Sequence, residues 1–212
     1  MKQMKFETAV GLLKKHGVKT ASFAVVRNEK SALAAAEKLG WPVVLKGLSP
    51  DVIHKTEVGV VFVNNKSVED VRKAYDKIVV NLKKRRARFQ GVLVQEQAEG
   101  FEVIIGAKRD SQFGPVVLFG LGGIFTEVLK DYSLRVAPVS EKEALDMIKE
   151  TKAFAVLAGA RGQKPANLRA LARTISGVSK LVFKNEKVRE LDLNPCFASP
   201  RDCVAADVRV IV

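Results

Sequence analysis

The chain has 212 residues, of which 47% are hydrophobic and 28% are charged. This composition is typical of a globular protein and excludes a disordered or fibrous chain. The formal net charge of +13 predicts attraction to polyanions such as nucleotides, nucleic acids or an acidic partner, and charge alone does not choose among them.

Neither membrane insertion nor a disulfide framework is predicted. The first residues lack the apolar run of a secretory signal, and no stretch approaches the roughly 18 apolar residues that span a bilayer. Cys196 and Cys203 are too few for a disulfide framework and are expected to be ordinary buried thiols. We therefore expect a cytoplasmic protein with no membrane partner.

The first half of the chain alternates helical and strand-like segments. Apolar spacing and capping signals predict helices over residues 6–16, 31–39 and 67–86. Short apolar runs predict strands over residues 22–26, 41–46 and 60–63. The aperiodic, polar segment 47–59 is typical of a loop, and loops on rigid strands often carry function.

The second half also mixes strands and helices. Strands are predicted over residues 92–94, 101–107, 115–119, 188–193 and 204–212. Helices are predicted to begin at Ser140, which forms a capping pattern with Glu143, and to run over residues 166–184, whereas 124–131 is expected to be extended or looped. The alternation favours an α/β or α+β fold with two lobes, residues 1–90 and 91–212, around a cleft.

Basic residues cluster at the predicted end of the helix over 67–86. The cluster consists of Lys83, Lys84, Arg85, Arg86 and Arg88. Cations favour a helix C-terminus, so a solvated helix end is the expected explanation of this cluster.

Lys46 and His54 are the first candidates for chemistry. Lys46 ends an apolar strand, where an ammonium group either contacts an anion such as phosphate or extends into solvent. His54 precedes Lys55 and Thr56 in the polar loop, where an imidazole could accept a phosphoryl group, although a lone loop histidine is more often a surface residue.

Polar groups in the second half suggest contacts to a nucleotide. Glu96 and Glu102 flank the turn at Gly100 and could bind a ribose or an adenine amino group, or could be exposed strand-end residues. Gly120, Gly122 and Gly123 offer backbone amides to phosphate, but they match neither the GxGxxG nor the Walker pattern and could form only a tight turn.

Three oxygen-bearing residues near the end of the chain suggest a metal site. Asp192 and Asn194 are two residues apart in a predicted strand and therefore share a face, which Asp207 in the next strand could also face. Magnesium typically takes one or two carboxylates together with phosphates and water, which suits this set. A polar face at a sheet edge is the alternative.

Four ordered blocks carry a family resemblance: VVLKGLSPDVIHKTEVG, VLVQEQAEGFEVIIGAKRD, FGPVVLFGLGGIFTEVLKDYSLRVAPVS and ELDLNP. Together they resemble the β subunits of ADP-forming acetyl-CoA synthetases and the related succinyl-CoA synthetases. The resemblance implies an ATP-grasp fold, with two α/β lobes around a nucleotide cleft, and an acid–thiol ligase activity that makes ATP from acyl-CoA, ADP and phosphate through phosphohistidines. It also implies a CoA-binding α subunit as partner, with an α2β2 heterotetramer as the assembly.

The resemblance also assigns roles to residues. Those implied to bind ATP or ADP are Lys46, Gly47, Gln95, Glu96 and Glu102. Asn194 and Asp207 are implied ligands of Mg²⁺, and His54 matches a histidine that relays the phosphoryl group. Weaker assignments fall on Asp192, Gly122, Gly123, Glu127 and Asp131.

One departure from the family pattern concerns the segment after His54. Relatives usually have Gly-Gly-Val there, whereas this chain has Gly59-Val60-Val61, which could alter a phosphate-facing loop because only glycine reaches positive φ freely. A regulatory subunit that has lost the relay is therefore one alternative function. The positive charge suggests another, a nucleic-acid-binding module, although no basic-aromatic stacking pattern supports it.

Overall fold

The structure, a computed structural model, describes residues 2–52, 55–122, 131–159 and 162–212. The chain forms two compact units. One, the continuous unit, is Ala21–Gln97; the other, the two-segment unit, combines Met1–Thr20 with Ala98–Val212. Within the described ranges, none of the helices is long and apolar enough to cross a membrane.

The helices and strands of the described residues follow one another in this order. The first are α1 (Phe6–Lys15), β1 (Phe23–Val26), α2 (Glu29–Leu39), β2 (Val43–Leu48), β3 (Val61–Asn65), α3 (Val68–Lys84) and β4 (Gly91–Glu96). They are followed by β5 (Phe101–Asp110), β6 (Gly114–Leu121), β7 (Tyr132–Val136), α4 (Glu141–Glu150), α5 (Ala153–Leu157), α6 (Leu168–Lys184), β8 (Glu190–Ala198), β9 (Cys203–Ala205) and β10 (Arg209–Ile211).

The continuous unit is an antiparallel four-stranded sheet in the order β1-β4-β2-β3, with α2 and α3 packed on one face. Strand residues alternate between faces, so every second residue reaches the helices. The buried core on that face includes Leu45 and Val94 from the strands and Ile78 and Leu82 from α3. Among the described residues of this unit, no helix packs on the other face of the sheet.

Helix α3 is well defined at both ends. The Ser67 side chain accepts a hydrogen bond from the Asp70 backbone N–H, and Glu69 and Asp70 place negative charge in the first turn. Lys83 and Lys84 lie in the last turn, where positive charge interacts favourably with the negative end of the helix dipole. The expected solvated basic helix end is confirmed, because Lys83, Lys84, Arg85, Arg86 and Arg88 are all exposed.

The two-segment unit has a six-stranded sheet in the order β10-β8-β5-β6-β7, with β9 paired to β8. Its ladders are antiparallel, and helices α4 and α6 contact one another and the sheet. The first residues of the chain belong here because α1 contacts α6 and β10. In addition, the Lys2 N–H donates to the Val212 carbonyl at 2.8 Å, and the Val212 N–H donates to the Lys2 carbonyl at 2.9 Å.

The mixed α/β class expected from the sequence is confirmed, and both cysteines are buried and free. The prediction of a single strand over 204–212 was wrong, because this region forms two strands, β9 and β10. Between these strands, the backbone N–H groups of Ala206 and Asp207 donate hydrogen bonds to the Pro195 carbonyl at 3.0 and 3.4 Å. A boundary at residue 90 would place α1 with the first lobe and β4 with the second, which differs from the grouping of the compact units.

Two helical glycines give a matched test of this packing. A methyl group at Gly177 of α6 would lie 2.5 Å from the His16 carbonyl oxygen, whereas one at Gly11 of α1 would meet nothing within 4 Å. We expect Gly177→Ala to lower the free energy of unfolding by about 1–3 kcal/mol through overpacking. We expect Gly11→Ala to raise it by roughly 0.5–1 kcal/mol, because alanine favours helix. Denaturant unfolding of both variants measures the difference, and equal stability would contradict the close approach of the Gly177 helix to residue 16.

Candidate nucleotide and metal site

Lys46 and Gln95 lie on the helix-free face of the sheet in the continuous unit. Val44 pairs with Gln95, and Lys46 pairs with Leu93, so the four side chains share one face of the antiparallel ladder. Lys46 and Gln95 are only 6% and 1% exposed. A buried ammonium group and a buried carboxamide therefore lie as diagonal neighbours on adjacent strands.

The Gln95 carboxamide is an unsatisfied polar group. Neither its Oε1 nor its Nε2 has a hydrogen-bond partner among the described residues. Leaving a buried donor or acceptor without a partner costs about 1–3 kcal/mol, which makes Gln95 a candidate for a ligand contact. A carboxamide offers one donor and one acceptor side by side, which complements the edge of an adenine ring.

Glu96 lies on the other face. It pairs with Val43, whose side chain is in the core beneath the helices, and its own side chain is exposed at the strand end. Gln95 and Glu96 therefore project to opposite faces of the sheet, as neighbouring strand residues do. Among the residues of segment 95–97, only Gln95 is buried.

Gly47 and Val60 fit together in the core. The Gly47 N–H donates to the Val60 carbonyl at 2.8 Å, and a Cβ at Gly47 would lie 3.0 Å from the Val60 Cβ and 2.9 Å from the Ile78 Cγ2. Val60 is fully buried. The absence of a side chain at Gly47 thus makes room for the valine.

Gly59 supplies the positive φ that this loop requires. Its φ is 68°, its N–H donates to the Thr56 carbonyl, and the Val60 N–H donates to the Lys55 carbonyl, which together form a Schellman turn. Val60 is not among the positive-φ residues. The departure from a double glycine therefore causes no backbone strain, because residue 60 places its side chain in the core.

Residues on both sides of His54 form hydrogen bonds with α3 or with the residues that follow it. Residues 53 and 54 lie outside the described residues, so His54 has no structural description here. Before them, the Asp51 carboxylate accepts hydrogen bonds from the Arg88 guanidinium, with the shortest at 2.7 Å, and from the Arg88 backbone N–H at 2.8 Å. After them, the Asn81 Nδ2 donates to the Gly59 carbonyl at 2.7 Å.

The Arg88 contact changes the acidity of Asp51. Hydrogen bonds from the Arg88 side chain, and then from its backbone, lower the pKa of Asp51 from 3.8 to about 2. Because the folded-state pKa is lowered, the contact is fully formed above the ordinary pKa of 3.8. It is lost only as the pH falls through about 2.

In the two-segment unit, Glu102 and Gly122 are in contact. The Gly122 N–H donates to the Glu102 carbonyl at 2.8 Å, and a Cβ at Gly122 would lie 3.1 Å from the Glu102 carbonyl carbon. Glycine thus allows two backbones to approach closely beside an exposed carboxylate. Gly123 and Glu127 lie outside the described residues.

Asp192 and Asp207 form a local cluster of negative charge with Glu190. Burial is the largest cause that raises the pKa of Asp192; Arg209 opposes this effect, and Asp207 and Glu190 add to it. Asn194 is exposed two residues after Asp192, and the Asp207 backbone bonds to the next residue, Pro195.

This cluster has the donors of a partial magnesium site. Carboxylate and amide oxygens are ligands that magnesium prefers, and a cation would relieve the repulsion at Asp192. The described residues hold no group of three or more His, Cys, Asp or Glu side chains arranged for a metal ion. Asp192, Asn194 and Asp207 offer oxygen donors of the kind that magnesium binds together with phosphate oxygens and water.

Asp131 has a structural role. Its carboxylate accepts hydrogen bonds from the backbone N–H groups of Lys152 and Ala153, at 3.0 and 2.9 Å. These residues lie at the start of α5, where backbone N–H groups have no partner within the helix and favour an acidic one. These two hydrogen bonds identify Asp131 as a cap of α5.

The fold and the sequence place this chain in a known family. A family model of the ATP-grasp domain matches residues 2–212, and the chain belongs to that family. The β subunit of acetate–CoA ligase (ADP-forming) I of Pyrococcus furiosus is 45% identical over 204 residues, which cover 95% of this chain and 88% of that protein. Within the ATP-grasp family, the chain therefore belongs with the β subunits of ADP-forming acetate–CoA ligases, which it resembles over nearly its whole length.

Solved structures agree with this assignment. The dinucleotide-forming acetyl-coenzyme A synthetase 1 of Ca. Korarchaeum cryptofilum, in complex with coenzyme A and Ca-AMPCP, has a TM-score of 0.95 and 42% identity. The match covers 100% of this chain and 93% of that chain. A second structure of that enzyme contains coenzyme A and Mg-AMPPCP, with its phosphohistidine segment pointing towards the nucleotide-binding site. It has a TM-score of 0.84 and 39% identity over 100% of this chain and 93% of its own.

Sequence reasoning missed the residues that form hydrogen bonds on either side of His54. Asp51, Arg88 and Asn81 were not among the candidate site residues, although each contacts the segment around His54 or its flank. Arg88 was assigned only to the basic cluster. The sequence separation of 37 residues between Asp51 and Arg88 leaves no local pattern that would reveal their pairing.

The Gly47–Val60 contact predicts coupled substitutions. Gly47→Ala is expected to lower the free energy of unfolding by about 1–3 kcal/mol because its methyl group meets rigid core atoms. Val60→Gly is expected to cost about 2–4 kcal/mol, because it removes a buried side chain and leaves a cavity. In the double variant the new methyl group occupies part of that space, so its cost should be less than the sum of the two single costs. Denaturant unfolding of the four proteins in the cycle measures the coupling, and strict additivity would contradict the contact.

Proposed function

We propose that this chain is the nucleotide-binding β subunit of an ADP-forming acyl-CoA synthetase. With a CoA-binding α subunit, it makes ATP from ADP and phosphate as acyl-CoA is converted to the free acid and CoA. Family membership supports the reaction class. The structural observation that carries the proposal is the pair of buried polar groups, Lys46 and Gln95, on the helix-free face of the continuous unit.

Lys46 and Gln95 are suited to the two ends of a nucleotide. The Lys46 ammonium group is a point charge on a rigid strand, which suits phosphate oxygens. The unsatisfied Gln95 carboxamide suits the donor and acceptor atoms of adenine. In the two-segment unit, the exposed Glu102 carboxylate suits ribose hydroxyls. Glu96 projects to the opposite face from Gln95, and we assign its exposed carboxylate no contact with the base.

Asn194 and Asp207 are the proposed ligands of Mg²⁺, with Asp192 beside them. A bound Mg²⁺ neutralises negative charge on the phosphates during transfer. The oxygen donors and the accumulated negative charge at Asp192 and Asp207 support this assignment. Arg209, which pairs with Asp192 in the ladder, limits the repulsion when the site holds no cation.

His54 is the proposed relay. A ring nitrogen of His54 forms a P–N bond with the phosphoryl group as the bond to the phosphohistidine of the α subunit breaks. The phosphoryl group then passes to a β-phosphate oxygen of ADP, the P–N bond breaks, and His54 is regenerated. The K. cryptofilum structure whose phosphohistidine segment points towards the nucleotide-binding site supports a transfer of this kind.

The partner is proposed to be the α subunit in an α2β2 heterotetramer. The net charge of +13 favours an acidic partner surface. The relatives and structures described above belong to synthetases, which argues against a nucleic-acid-binding module or a regulatory subunit as the main function.

Nucleotide binding tests the role of Lys46. Replacement of Lys46 by Met keeps the length of the side chain and removes its charge. We expect it to weaken Mg-ADP binding by about 10- to 100-fold, the usual value of a charge-assisted hydrogen bond. Lys38→Met, at an exposed position in the last turn of α2, is the matched control and should bind as the wild type does. Calorimetric titration measures both, and equal affinities would remove Lys46 from the site.

Turnover tests the role of His54. We expect His54→Ala to reduce ATP formation by the assembled complex to background while Mg-ADP binding stays unchanged, because only the phosphoryl acceptor is lost. His16→Ala replaces the only other histidine, whose Nδ1 contacts the Leu12 carbonyl, and should retain activity. Coupled measurement of ATP formation and labelling of the chain with phosphate would show the loss. Full activity of His54→Ala would support the regulatory alternative.

A further inference from the structure

We propose that Arg209 sets the cation affinity of the proposed Mg²⁺ site, so that a divalent cation binds tightly only together with the nucleotide phosphates. This inference rests on the proposed function, in which Asn194 and Asp207 bind Mg²⁺ beside Asp192. Arg209 acts through the charge that it places next to Asp192, and we assign it no contact with substrate. It is therefore a positioning residue and not a ligand.

The register of two strands places Arg209 beside Asp192. Arg209 of β10 lies directly opposite Asp192 of β8 in an antiparallel ladder, so the two side chains share one face of the six-stranded sheet. Leu191 and Val210, which lie opposite one another in the next pair, are 1% and 0% exposed and project to the other face. The backbone thus brings a guanidinium and a carboxylate together on the face that is not packed into the core.

The Arg209 guanidinium lacks the close contacts of a structural ion pair. Its Nε is buried and has no hydrogen-bond partner among the described residues. Its Nη1 lies 4.0 Å from the Glu190 Oε1, which is longer than a hydrogen bond. An arginine that stabilises a fold through a carboxylate commonly forms two short parallel hydrogen bonds with it. Arg209 instead contributes mainly its charge to this face.

That charge opposes an excess of negative charge around Asp192. Arg209 attracts the Asp192 carboxylate, whereas Asp207 and Glu190 repel it. A second cation, Lys108 of β5, lies opposite Glu190 on the same face and is a diagonal neighbour of Asp192. At Asp192, the nearest positive charge is therefore that of Arg209, which a metal ion would meet on binding.

A fixed positive charge weakens the binding of a free cation and favours the binding of an anion. Because Mg²⁺ carries two charges, one positive charge about 6 Å away weakens its binding by about tenfold even in water-like surroundings. Nucleotide phosphates offset this effect, since they bring negative charge and the further oxygen ligands that magnesium takes. Arg209 thus disfavours the free cation and favours the cation that arrives with a nucleotide.

Binding of metal alone and of nucleotide alone to the full chain tests this role. Arg209→Gln removes the charge. We expect Mn²⁺, used without nucleotide as the probe of the site, to bind this variant about tenfold more tightly than the wild type at low salt. We expect ADP in the presence of EDTA to bind it several-fold more weakly, because a cation near the phosphates is lost. Electron paramagnetic resonance of free Mn²⁺ measures the first change, and calorimetry measures the second.

Three further variants serve as controls. Arg209→Lys keeps the charge and should bind Mn²⁺ as the wild type does. Lys108→Gln removes a more distant charge and should tighten Mn²⁺ binding by less than Arg209→Gln. Arg173→Gln is the matched control, because the Arg173 Nε also lies 4.0 Å from a carboxylate, that of Glu141, but Arg173 belongs to helix α6. It should leave Mn²⁺ binding unchanged.

The outcomes separate the role of Arg209 from the metal site on which it rests. If Arg209→Gln binds Mn²⁺ no more tightly than the wild type, the role of Arg209 is overturned. Equal tightening by Arg173→Gln would assign the effect to net charge and would overturn it as well. Arg209→Met, which keeps the apolar part of the side chain, provides the same comparison if Arg209→Gln lowers Tm.

Asp207→Asn tests the metal site itself. If this variant binds Mg-ADP as the wild type does, the proposed metal site fails, and the role of Arg209 fails with it. If Asp207→Asn weakens Mg-ADP binding while Arg209→Gln leaves Mn²⁺ binding unchanged, the site stands and only the role of Arg209 is overturned.

Discussion

The packing of helix α3 against strand β2 is the contact on which the arrangement of the continuous unit depends. Ile78 and Leu82 of α3 pack beside Gly47, and the Val60 side chain packs against the same position. Because that face of β2 is filled by apolar groups, Lys46 must project from the other face. The same helix presents Asn81 to the Gly59 carbonyl. One hydrophobic contact thus places both the phosphate-binding candidate and one end of the loop.

In both units, the two faces of the sheet differ in their residues. Buried apolar residues such as Leu45 and Ile105 alternate with residues on the second face, where Lys46, Gln95 and Glu102 lie. Strand register then fixes the spacing of those polar groups along the sheet. Gln95 shows the cost of this arrangement, because its buried carboxamide has no hydrogen-bond partner among the described residues.

Much of the fold and part of the site could be predicted from the sequence. Periodicity located the long helices, and the position of Lys46 at the end of an apolar strand identified it as a candidate. Strand β7, Tyr132–Val136, was missed because its alternate residues are exposed and interrupt the apolar signal. Tertiary hydrogen bonds to the Pro195 carbonyl divide the last predicted strand, and no local pattern encodes them. The unsatisfied state of Gln95 likewise depends on its three-dimensional surroundings.

The hydrogen bonds between Lys2 and Val212 also bear on how the chain is connected. Residues 1–20 and 98–212 form one unit, and Met4 also bonds to Val210 across the same junction. A short linker from residue 212 to residue 2 would therefore join two segments that are already neighbours in a ladder. A circular permutant that starts at Ala98 and ends at Gln97 would encode each unit as one uninterrupted stretch. Chain order and spatial order are thus separable in this protein, and the continuous unit is an insertion into the other.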